Sequence, residues 1–440
     1  MRSWILQRAE RVEGAISVPG DKSISHRALL LGALAEGTTE IRGFLWSEDC
    51  RATLQALTAL GVRVSAPPGG PLCIEGQGAG ALREPEAVLD AGNSGTCLRL
   101  LAGVLAGRPF LSILTGDASL RQRPMRRVVE PLSAMGARLD GRGGGQYPPL
   151  TVRGGALRGI AWRSPVASAQ VKSAILLAGV QAAGETSVTE PALSRDHTER
   201  MLAGFGVAVR RDGTRVSVPG QAQLRATCVA VPGDVSSAAF FLAAAAARPG
   251  RELSLRGVGL NPTRAGVLEA LRAMGAALAV SGMRVEAGEP VGDLVVRGAR
   301  LHGTRIAPEQ IPGLVDEVPI LAVAAALAEG ETLIQGAGEL RVKEVDRLAA
   351  LAGELSKLGA EIREEGEGLR IRGGRPLRGA VVSSRGDHRM AMSLAVAALA
   401  ADGETEIQDV ACVETSFPGF ADLLRAVAPG CGLREVRRDE

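Results

Sequence analysis

The sequence predicts an α/β protein made of six copies of one structural unit, arranged as two domains of three copies each. Similar segments recur at a spacing of roughly 70 residues, which is too long for a solenoid repeat and too short for an ordinary doubly wound domain. Each copy reads as a small-residue turn, an Ala- and Leu-rich helix, a β-rich run and a second helix that ends in an apolar residue followed by Gly. The length of 440 residues suits two such domains.

Every copy opens with a turn rich in Gly, Ser or Asp, here called its head. The six heads lie at residues 19–27, 91–99, 164–172, 231–240, 314–320 and 386–392. The helix that follows a head is almost entirely apolar, as at 28–35 and 238–247. A helix that is apolar on all sides is expected inside its domain.

The remaining elements of each copy carry a clear periodicity. The β-patterned runs lie at 38–44, 186–191, 252–258, 331–337 and 405–410. The second helices are amphipathic: in the segment 346–359, Leu348, Leu351 and Leu355 share one face. Three charged residues of that segment are expected to point away from this face: Arg347, Glu354 and Lys357.

The boundary between the two domains is predicted where the fourth copy begins. The first domain would span 20–231, and the second would span 232–440. A further seam after Pro19 would let the N-terminal strand within 1–19 pair with the second domain and complete it. Two chain connections would then join the domains and could act as a hinge.

Composition excludes several classes of function. A net charge of +3 and an aromatic content of 2% give no basis for nucleic-acid binding. The charged N-terminus does not resemble a signal peptide, and the apolar runs at 318–328 and 390–401 are too short to cross a membrane. The six cysteines lack metal-binding spacing, so reduced thiols, no bound metal and a cytoplasmic location are expected.

The first and fourth heads can be compared residue by residue, because 19–27 and 232–240 align without a gap and keep Pro, Gly, Asp and Ser at matching positions. The basic side chains of Lys22, His26 and Arg27 are replaced in the fourth head by Val235, Ala239 and Phe240. The fold therefore does not need these basic residues. An anion held at the helix N-terminus is the expected reason for them.

Other heads, and the corresponding heads at the start of the second helices, repeat this combination of a helix N-terminus and polar or basic side chains. The candidates are Asn93, Gly95, Arg121, Arg123, Ser168, Gln170, Arg195, Lys343, Arg347, His388 and Arg389. Any single head could equally be an N-cap beside a solvated charge. Only four of the 51 basic residues are Lys, and Lys22 and Lys343 lie in these heads, where a compact amine that can release a proton is expected.

Acidic residues lie among these cations. Asp316 and Glu317 belong to the fifth head, and Glu344 directly follows Lys343. Such carboxylates are either ionised salt-bridge partners or general acid–base groups, and both interpretations are open at this point. His197 follows Arg195 and Asp196 without a ligand-spaced partner, so it either lies near the site or is an exposed residue at a helix start.

Taken in order, the motif segments resemble the 5-enolpyruvylshikimate-3-phosphate (EPSP) synthase family over essentially the whole chain. They are PGDKSISHRALLLGALAEG, GNSGT, RQRPM, SPVASAQVKSAILLAG, SRDHTERM, LNPTR, DEVPILAVAAA, RVKEVDR and GDHRMAMS. The segments SAQVKSA, SRDHTE and SFPGF are similar to the branch often called class II.

The resemblance implies a pair of inside-out α/β domains, each of three βαβαββ repeat units, joined by a two-strand hinge and closing over the substrates. It implies transfer of the enolpyruvyl group of phosphoenolpyruvate to the 5-hydroxyl of shikimate 3-phosphate, with release of phosphate through a tetrahedral intermediate. Both anionic substrates would suit a cleft rich in Lys and Arg. The resemblance implies neither a metal nor an organic cofactor, and it implies a monomer.

The resemblance also places site residues at matching positions of this chain. Shikimate 3-phosphate would contact Lys22, Ser23, Arg27, Ser168, Gln170, Arg195, Asp316 and Lys343. Phosphoenolpyruvate would contact Lys22, Asn93, Gly95, Arg123, Gln170, Arg347 and Arg389. The catalytic residues implied are Lys22, Asp316, Lys343, Glu344 and His388. Glu344 is assigned to proton transfer at C3, and Asp316, with Lys22 or Lys343, is assigned to the 5-hydroxyl.

Three positions depart from the better-known branch of the family. Ala169 stands in place of a Ser, Glu339 in place of an Asn, and Thr415 in place of a Lys. Gly95 is retained. An extra methyl group at that position is associated with exclusion of the inhibitor glyphosate, so strong insensitivity is not expected from it.

Two other functions remain as alternatives. An enolpyruvyl transferase that acts on a UDP-linked amino sugar shares the fold, but its reactive Cys is absent from the segment 119–124, which reads SLRQRP. Cys97 is expected to pack as a small apolar residue instead. A non-catalytic anion-binding relative would be expected to lack Lys22, Glu344 or Asp316, and all three are present.

Overall fold

The computed structural model of the chain describes residues 2–248 and 250–437. It separates into two compact units. The first unit comprises Gly20–Pro232 and Val285–Glu289, and the second comprises the described parts of Met1–Pro19, Gly233–Arg284 and Pro290–Glu440. The chain therefore passes from one unit to the other after Pro19 and after Pro232, and one hairpin tip is grouped with the first unit.

The strands are short and are numbered in chain order. They are β1 (Arg2–Leu6), β2 (Gly14–Ile16), β3 (Glu36–Arg42), β4 (Arg63–Ser65), β5 (Leu72–Gln77), β6 (Leu89–Asp90), β7 (Leu111–Thr115), β8 (Arg138–Gly141), β9 (Tyr147–Arg153), β10 (Ala161–Arg163), β11 (Thr186–Thr189) and β12 (Arg210–Asp212). They continue with β13 (Arg215–Val218), β14 (Cys228–Ala230), β15 (Glu252–Gly259), β16 (Ala277–Glu286), β17 (Glu289–Arg297), β18 (Arg305–Ile306), β19 (Glu331–Ile334), β20 (Glu361–Glu364), β21 (Leu369–Arg372), β22 (Val381–Ser383), β23 (Thr405–Gln408) and β24 (Arg434–Arg437).

The helices of eight or more residues alternate between the first and second helix of successive copies. They are α1 (Lys22–Leu34), α2 (Glu48–Ala59), α3 (Gly95–Ala106), α4 (Arg126–Ala134), α5 (Ala169–Gly179), α6 (His197–Gly204), α7 (Val235–Ala246), α8 (Gly266–Ala273), α9 (Val318–Leu327), α10 (Arg347–Lys357), α11 (His388–Ala398) and α12 (Phe420–Val427). Along the described chain, none of the helices combines the length and the apolar character needed to cross a membrane.

Each unit contains three four-stranded sheets. In the first unit the strand orders are β14-β3-β5-β4, β6-β7-β9-β8 and β10-β11-β13-β12. In the second unit they are β16-β17-β15-β2, β18-β19-β21-β20 and β22-β23-β1-β24. The second copy shows the repeated pattern: β7 pairs in parallel with β6 and antiparallel with β9, which pairs antiparallel with β8. The predicted α/β fold class with repeated units is confirmed.

Strands distant in sequence complete three of the sheets. N-terminal β1 lies between β23 and β24, where Trp4 pairs with Ile407 and with Glu435. N-terminal β2 pairs in parallel with β15. In the first unit, β14 pairs in parallel with β3, so the strand that precedes the fourth copy completes the sheet of the first copy.

The core of each unit is built around the first helices of its three copies. All residues of α7 are buried, and in α1 only Lys22 and Ser23 keep partial exposure. Helices α3 and α5 approach so closely that a Cβ on Gly103 would lie 2.3 Å from the carbonyl oxygen of Ala174. That distance requires glycine at this position. The prediction that the apolar first helices lie inside is confirmed.

The charged residues of α10 differ in exposure. The sequence predicts that Arg347 and Glu354 lie away from the leucine face of this helix; each is nevertheless only 1% exposed, so neither side chain points into solvent. Only Lys357 has a side chain that is half exposed. Glu354 accepts hydrogen bonds from the amide of Ser383 at 3.0 Å and from Arg385 Nη2 at 2.9 Å. Charged groups can be buried in this way because they are paired.

Candidate active site

The first helix of the first unit begins with the lysine that the comparison of heads singles out. The Asp21 carboxylate caps α1 by accepting a hydrogen bond from the amide of Ile24 at 2.9 Å. Lys22 lies in the first turn, and its Nζ is 3.0 Å from Oδ2 of Asp49 on α2. Sequence reasoning missed Asp49, which follows the N-cap of α2 and carries no signal beyond helix capping.

Arg27 lies one turn further along α1 and is buried. Its guanidinium donates hydrogen bonds to Thr198 Oγ1 at 2.6 Å, to Ser173 Oγ at 2.7 Å and to the carbonyl oxygen of Ser23 at 2.9 Å. These contacts connect α1 with α5 and α6. Arg27 therefore fixes the arrangement of the N-terminal turns of three helices of the first unit, in addition to supplying positive charge.

His26 is buried next to these cations. Its Nδ1 lies 2.7 Å from Thr53 Oγ1. Burial lowers the pKa of His26 well below its ordinary value, and the charges of Lys22 and Arg27 lower it further. The imidazole is therefore neutral at neutral pH.

The head of α3 brings three predicted residues together. Asn93 accepts a hydrogen bond from Arg123 Nη2 at 2.7 Å and donates one to Asp117 Oδ2 at 2.6 Å. Gly95 is the first residue of α3, and a Cβ there would lie 2.8 Å from Arg99 Nη1 and 3.4 Å from Arg123 Nη1. Glycine at this position therefore leaves room for two guanidinium groups at the helix N-terminus.

The head of α5 joins the head of α3 through Gln170. Its Oε1 accepts a hydrogen bond from Arg99 Nη1 at 2.5 Å, and its Nε2 donates one to Thr96 Oγ1 at 2.8 Å. Ser168 is the N-cap residue of α5. Arg99 is a second residue that sequence reasoning missed, although it lies within the head at 91–99, because a helical Arg gives no sign of which side chain it will meet.

Arg195 lies in the loop before α6 and keeps partial exposure, while Ser194 and Asp196 on either side of it are buried. The interpretation of His197 as an exposed residue is wrong. Its side chain is buried, and Nδ1 lies 2.7 Å from Glu289 Oε1, within the first unit. The hairpin tip at Val285–Glu289 therefore shields the start of α6 from water.

In the second unit, Asp316 lies among three cations. Its Oδ1 is 3.9 Å from Lys343 Nζ and 3.6 Å from Arg347 Nη1, and its Oδ2 is 3.8 Å from Arg389 Nη2. Arg389 Nη1 also donates a hydrogen bond to the carbonyl oxygen of Asp316 at 2.9 Å. The fifth and sixth heads and the start of α10 therefore converge on one carboxylate.

Arg347 connects Asp316 with two further carboxylates. Its Nη2 donates to Glu344 Oε2 at 2.6 Å, and its Nε donates to Asp387 Oδ2 at 2.7 Å. Burial alone would lower the pKa of Arg347, but Asp387, Glu344 and Asp316 raise it above its ordinary value. Asp387 also caps α11 through the amide of Arg389 at 2.8 Å, and sequence reasoning missed it.

Lys343 lies beside the carboxylate of Asp316, and its ammonium group loses a proton more easily than that of an ordinary lysine. Burial of its amine lowers the pKa of Lys343 below its ordinary value, and Arg347 lowers it further, against the opposing effect of Asp316, Glu339 and Glu344. The side chain nevertheless keeps 26% exposure. A lysine that is easier to deprotonate suits proton transfer.

His388 begins α11 and is buried. Its Nδ1 lies 3.5 Å from Oγ1 of Thr415, which donates a hydrogen bond to the carbonyl oxygen of Cys412 at 2.7 Å. The departure at position 415 thus places a hydroxyl group beside His388 rather than a cation.

Two further sequence-based points concern cysteines and metals. Cys97 is buried in α3, as predicted, and burial raises its pKa to about 12. Within residues 2–248 and 250–437, no group of three or more His, Cys, Asp and Glu side chains could hold a metal ion.

The polar residues at the helix N-termini of the first unit and those around Asp316 in the second unit differ in the chemistry that they can support. The first unit presents basic side chains at the N-termini of α1, α3 and α5, where backbone dipoles add positive potential, so it is suited to holding anions. The second unit adds two carboxylates, Asp316 and Glu344, whose side chains keep 14% and 15% exposure. These carboxylates can therefore meet a bound molecule and exchange protons with it.

Known proteins are similar to this chain over nearly its whole length. A family profile described as EPSP synthase (3-phosphoshikimate 1-carboxyvinyltransferase) matches residues 6–424. A protein of Desulforamulus reducens named 3-phosphoshikimate 1-carboxyvinyltransferase is 53% identical over 423 residues, covering 96% of this chain and 99% of its own length. A protein of the same name from Synechococcus sp. is 56% identical over 424 residues, covering 96% and 95%.

A solved structure gives the same result in three dimensions. The EPSP synthase of Acinetobacter baumannii superimposes with a TM-score of 0.88 at 44% sequence identity, covering 99% of this chain and 100% of that one. The similarity in sequence and in structure extends over both units. The chain belongs to the EPSP synthase family.

Proposed function

We propose that the chain catalyses the reaction of its family, in which the enolpyruvyl group of phosphoenolpyruvate is transferred to the 5-hydroxyl of shikimate 3-phosphate. The observation that carries this proposal is the cluster in the second unit, where Asp316 and Glu344 are paired with Lys343, Arg347 and Arg389. In such a cluster the Lys and Arg side chains can stabilise anionic substrates, while the carboxylates can move protons at the same site.

The first step forms a bond between the 5-hydroxyl oxygen and C2 of phosphoenolpyruvate. The hydroxyl loses its proton and C3 gains one, which gives a tetrahedral intermediate. We assign Glu344 to C3 because its Oε2 is fixed 2.6 Å from Arg347 Nη2 while the side chain remains partly exposed. Asp316, together with Lys343 or with Lys22, takes the hydroxyl proton, and the lowered pKa of Lys343 supports that role.

The second step reverses the proton transfer at C3. C3 loses a proton, the double bond between C2 and C3 forms again, and the bond from C2 to the phosphate oxygen breaks. We assign this proton to Glu344 as well, and His388 lies at the start of α11 next to Arg389. Inorganic phosphate leaves with the negative charge that Arg and Lys side chains stabilise.

Contacts to phosphoenolpyruvate are proposed from the heads that carry guanidinium groups. Arg123, Gly95, Asn93 and Gln170 lie in one connected set of contacts in the first unit. The full proposed set is Lys22, Asn93, Gly95, Arg123, Gln170, Arg347 and Arg389. Planar guanidinium groups suit carboxylate and phosphate oxygens because they donate paired hydrogen bonds.

Contacts to shikimate 3-phosphate are proposed from Lys22, Ser23, Arg27, Ser168, Gln170, Arg195, Asp316 and Lys343. Ser168 supports this assignment because it is the N-cap of α5, where backbone amides attract a phosphate. Ala169 supplies no hydroxyl group, so the phosphate contact at this head depends on Ser168 and Gln170.

The assignment is tested by following phosphate release from phosphoenolpyruvate by the purified chain. We expect release only when shikimate 3-phosphate is present. Release at an equal rate without shikimate 3-phosphate would contradict the proposed transfer.

We further propose that the chain acts as a cytoplasmic monomer, as the family resemblance implies. Light scattering coupled to size exclusion is the direct test. A mass corresponding to one chain of 45.4 kDa is expected, and twice that mass would contradict the proposal.

A further inference from the structure

One buried lysine of the first unit, Lys172, has no role in the mechanism proposed above. Lys172 is on α5, and its Nζ lies 2.8 Å from Glu190 Oε2 and 2.8 Å from Glu199 Oε1. The side chains of Lys172, Glu190 and Glu199 are 3%, 2% and 8% exposed. A buried cation with two carboxylate partners is a costly arrangement to lose, because removing one partner leaves buried charge unpaired.

Two of these residues, Lys172 and Glu190, also hold a loop through Ser194. Lys172 Nζ donates to the carbonyl oxygen of Ser194 at 3.4 Å, and Ser194 Oγ donates to Glu190 Oε1 at 2.6 Å. Ser194 directly precedes Arg195. The cluster therefore anchors the residue on one side of the arginine proposed to bind shikimate 3-phosphate.

The residue on the other side of Arg195 is anchored as well. The buried Asp196 carboxylate accepts a hydrogen bond from Arg200 Nε at 2.9 Å and one from Arg211 Nη1 at 3.1 Å. The backbone that carries Arg195 is thus fixed at both ends.

The chemistry at this point requires lysine. An ammonium group offers three donors in a compact tetrahedral arrangement, and here it meets three acceptors on Glu190, Glu199 and Ser194. A planar guanidinium cannot match that arrangement in the same buried space. Lys172 is one of only four lysines among 51 basic residues, as expected at a position where Arg cannot substitute.

We infer that Lys172 is a positioning residue that orients Arg195 for binding of the shikimate 3-phosphate substrate, through Glu190 and Ser194. The inference rests on the proposed function, in which Arg195 contacts that substrate. Lys172 itself is too buried to touch the substrate and acts only through its neighbours.

A double-mutant cycle tests the inference by comparing Lys172→Met, Arg195→Ala and the double variant. We expect Lys172→Met to raise the KM for shikimate 3-phosphate by roughly 10-fold or more while kcat changes by less than about threefold, because misplacement of a binding group weakens binding of substrate and transition state alike. In the Lys172→Met background, Arg195→Ala should add less than about threefold.

Arg108→Met is the matched control. Arg108 is a half-buried cation of the same unit that donates to the carbonyl oxygen of Ala79, beyond the C-terminal end of α3. Its removal is expected to leave the KM for shikimate 3-phosphate unchanged, and its effect should add independently to that of Arg195→Ala.

The inference is wrong if Lys172→Met leaves this KM unchanged, or if its effect and that of Arg195→Ala multiply independently. Should Lys172→Met fail to fold, Ser194→Ala decides the question, since it removes one hydrogen bond to the cluster and should raise the same KM by about threefold to tenfold. An unchanged KM in Ser194→Ala would then overturn the inference. Failure of the proposed function is distinct, since the unmodified chain would then show no release of phosphate that depends on shikimate 3-phosphate.

Discussion

Single side chains distinguish two heads that otherwise fold alike. Asp21 caps α1 through the amide of Ile24 at 2.9 Å, and Asp234 caps α7 through the amide of Ser236 at 2.8 Å. Where α1 carries Lys22, α7 carries the buried Val235. The capping aspartate therefore belongs to the fold, while the basic residues of α1 are not needed for it.

The proton-transfer roles can be tested at single carboxylates. Glu344→Gln and Asp316→Asn should each lower kcat by about 10²–10⁴-fold while the KM values change little, since each amide keeps the shape of the side chain and cannot exchange the proton. Steady-state kinetics with both substrates is the measurement. Glu364→Gln is the control, because Glu364 is an exposed partner of Arg341 in the same unit. Full turnover in either site variant would remove that residue from the mechanism.

His26 gives a prediction for stability as a function of pH. Its pKa is lowered in the folded state, whereas in the unfolded chain it is near 6.5. Below that pH, the unfolded chain binds a proton that the folded protein does not bind, so the free energy of unfolding falls as the pH falls from about 6.5 towards the folded-state pKa, by up to about 1.4 kcal/mol per pH unit.

His26→Asn should remove this contribution from the pH dependence, as measured by urea unfolding at about pH 7.5 and about pH 5.5. His302→Asn is the control because His302 is exposed. If the free energy of unfolding changes equally with pH in the unmodified chain and in His26→Asn, His26 does not titrate in this way.

Sequence reasoning found most of the basic residues in these clusters and missed several of their partners. Lys22 and Arg347 stand in motifs, whereas Asp49 meets Lys22, and Arg99 meets Gln170, only through tertiary contacts that no local pattern specifies. Asp387 is different, because it caps α11 as Asp21 caps α1. Alignment of the sixth head with the first would have found it.

At the scale of elements, the candidate site residues of each unit lie mainly at or just before the N-termini of helices that are otherwise largely buried. Apolar first helices hold the heads in place, and glycine allows guanidinium groups to approach the N-terminus of α3. The pattern of apolar residues was sufficient to predict this burial. It could not predict that α10 buries Arg347 and Glu354, because the cost of burying each charge is offset by partners on other elements.

The glycine at the start of α3 gives a prediction at this scale. Gly95→Ala should raise the KM for phosphoenolpyruvate by roughly 10-fold or more, since its Cβ would lie 2.8 Å from Arg99 Nη1 and would displace the guanidinium groups. Gly80→Ala is the matched control, because a Cβ there would meet nothing within 4 Å. Equal KM values for phosphoenolpyruvate in both variants would contradict this account of Gly95.

At the scale of the whole molecule, repetition is what the sequence predicts best. The six copies appear as six four-stranded sheets in the described chain, three in each unit. Strands β1 and β2 both pair with strands of the second unit. The sequence does not predict that the hairpin tip at Val285–Glu289 belongs to the first unit. Its buried residue, Glu289, contacts His197, which is distant in sequence, and no local pattern specifies that contact.

As a member of its family, this chain is expected to form a new ether bond between phosphoenolpyruvate and shikimate 3-phosphate. Nuclear magnetic resonance with carbon-13-labelled phosphoenolpyruvate follows that bond directly. With shikimate 3-phosphate as the acceptor, we expect the labelled enolpyruvyl group to appear on the 5-oxygen in equal amount to the phosphate released. Labelled product on UDP-N-acetylglucosamine instead, or phosphate release without any labelled ether, would contradict the account.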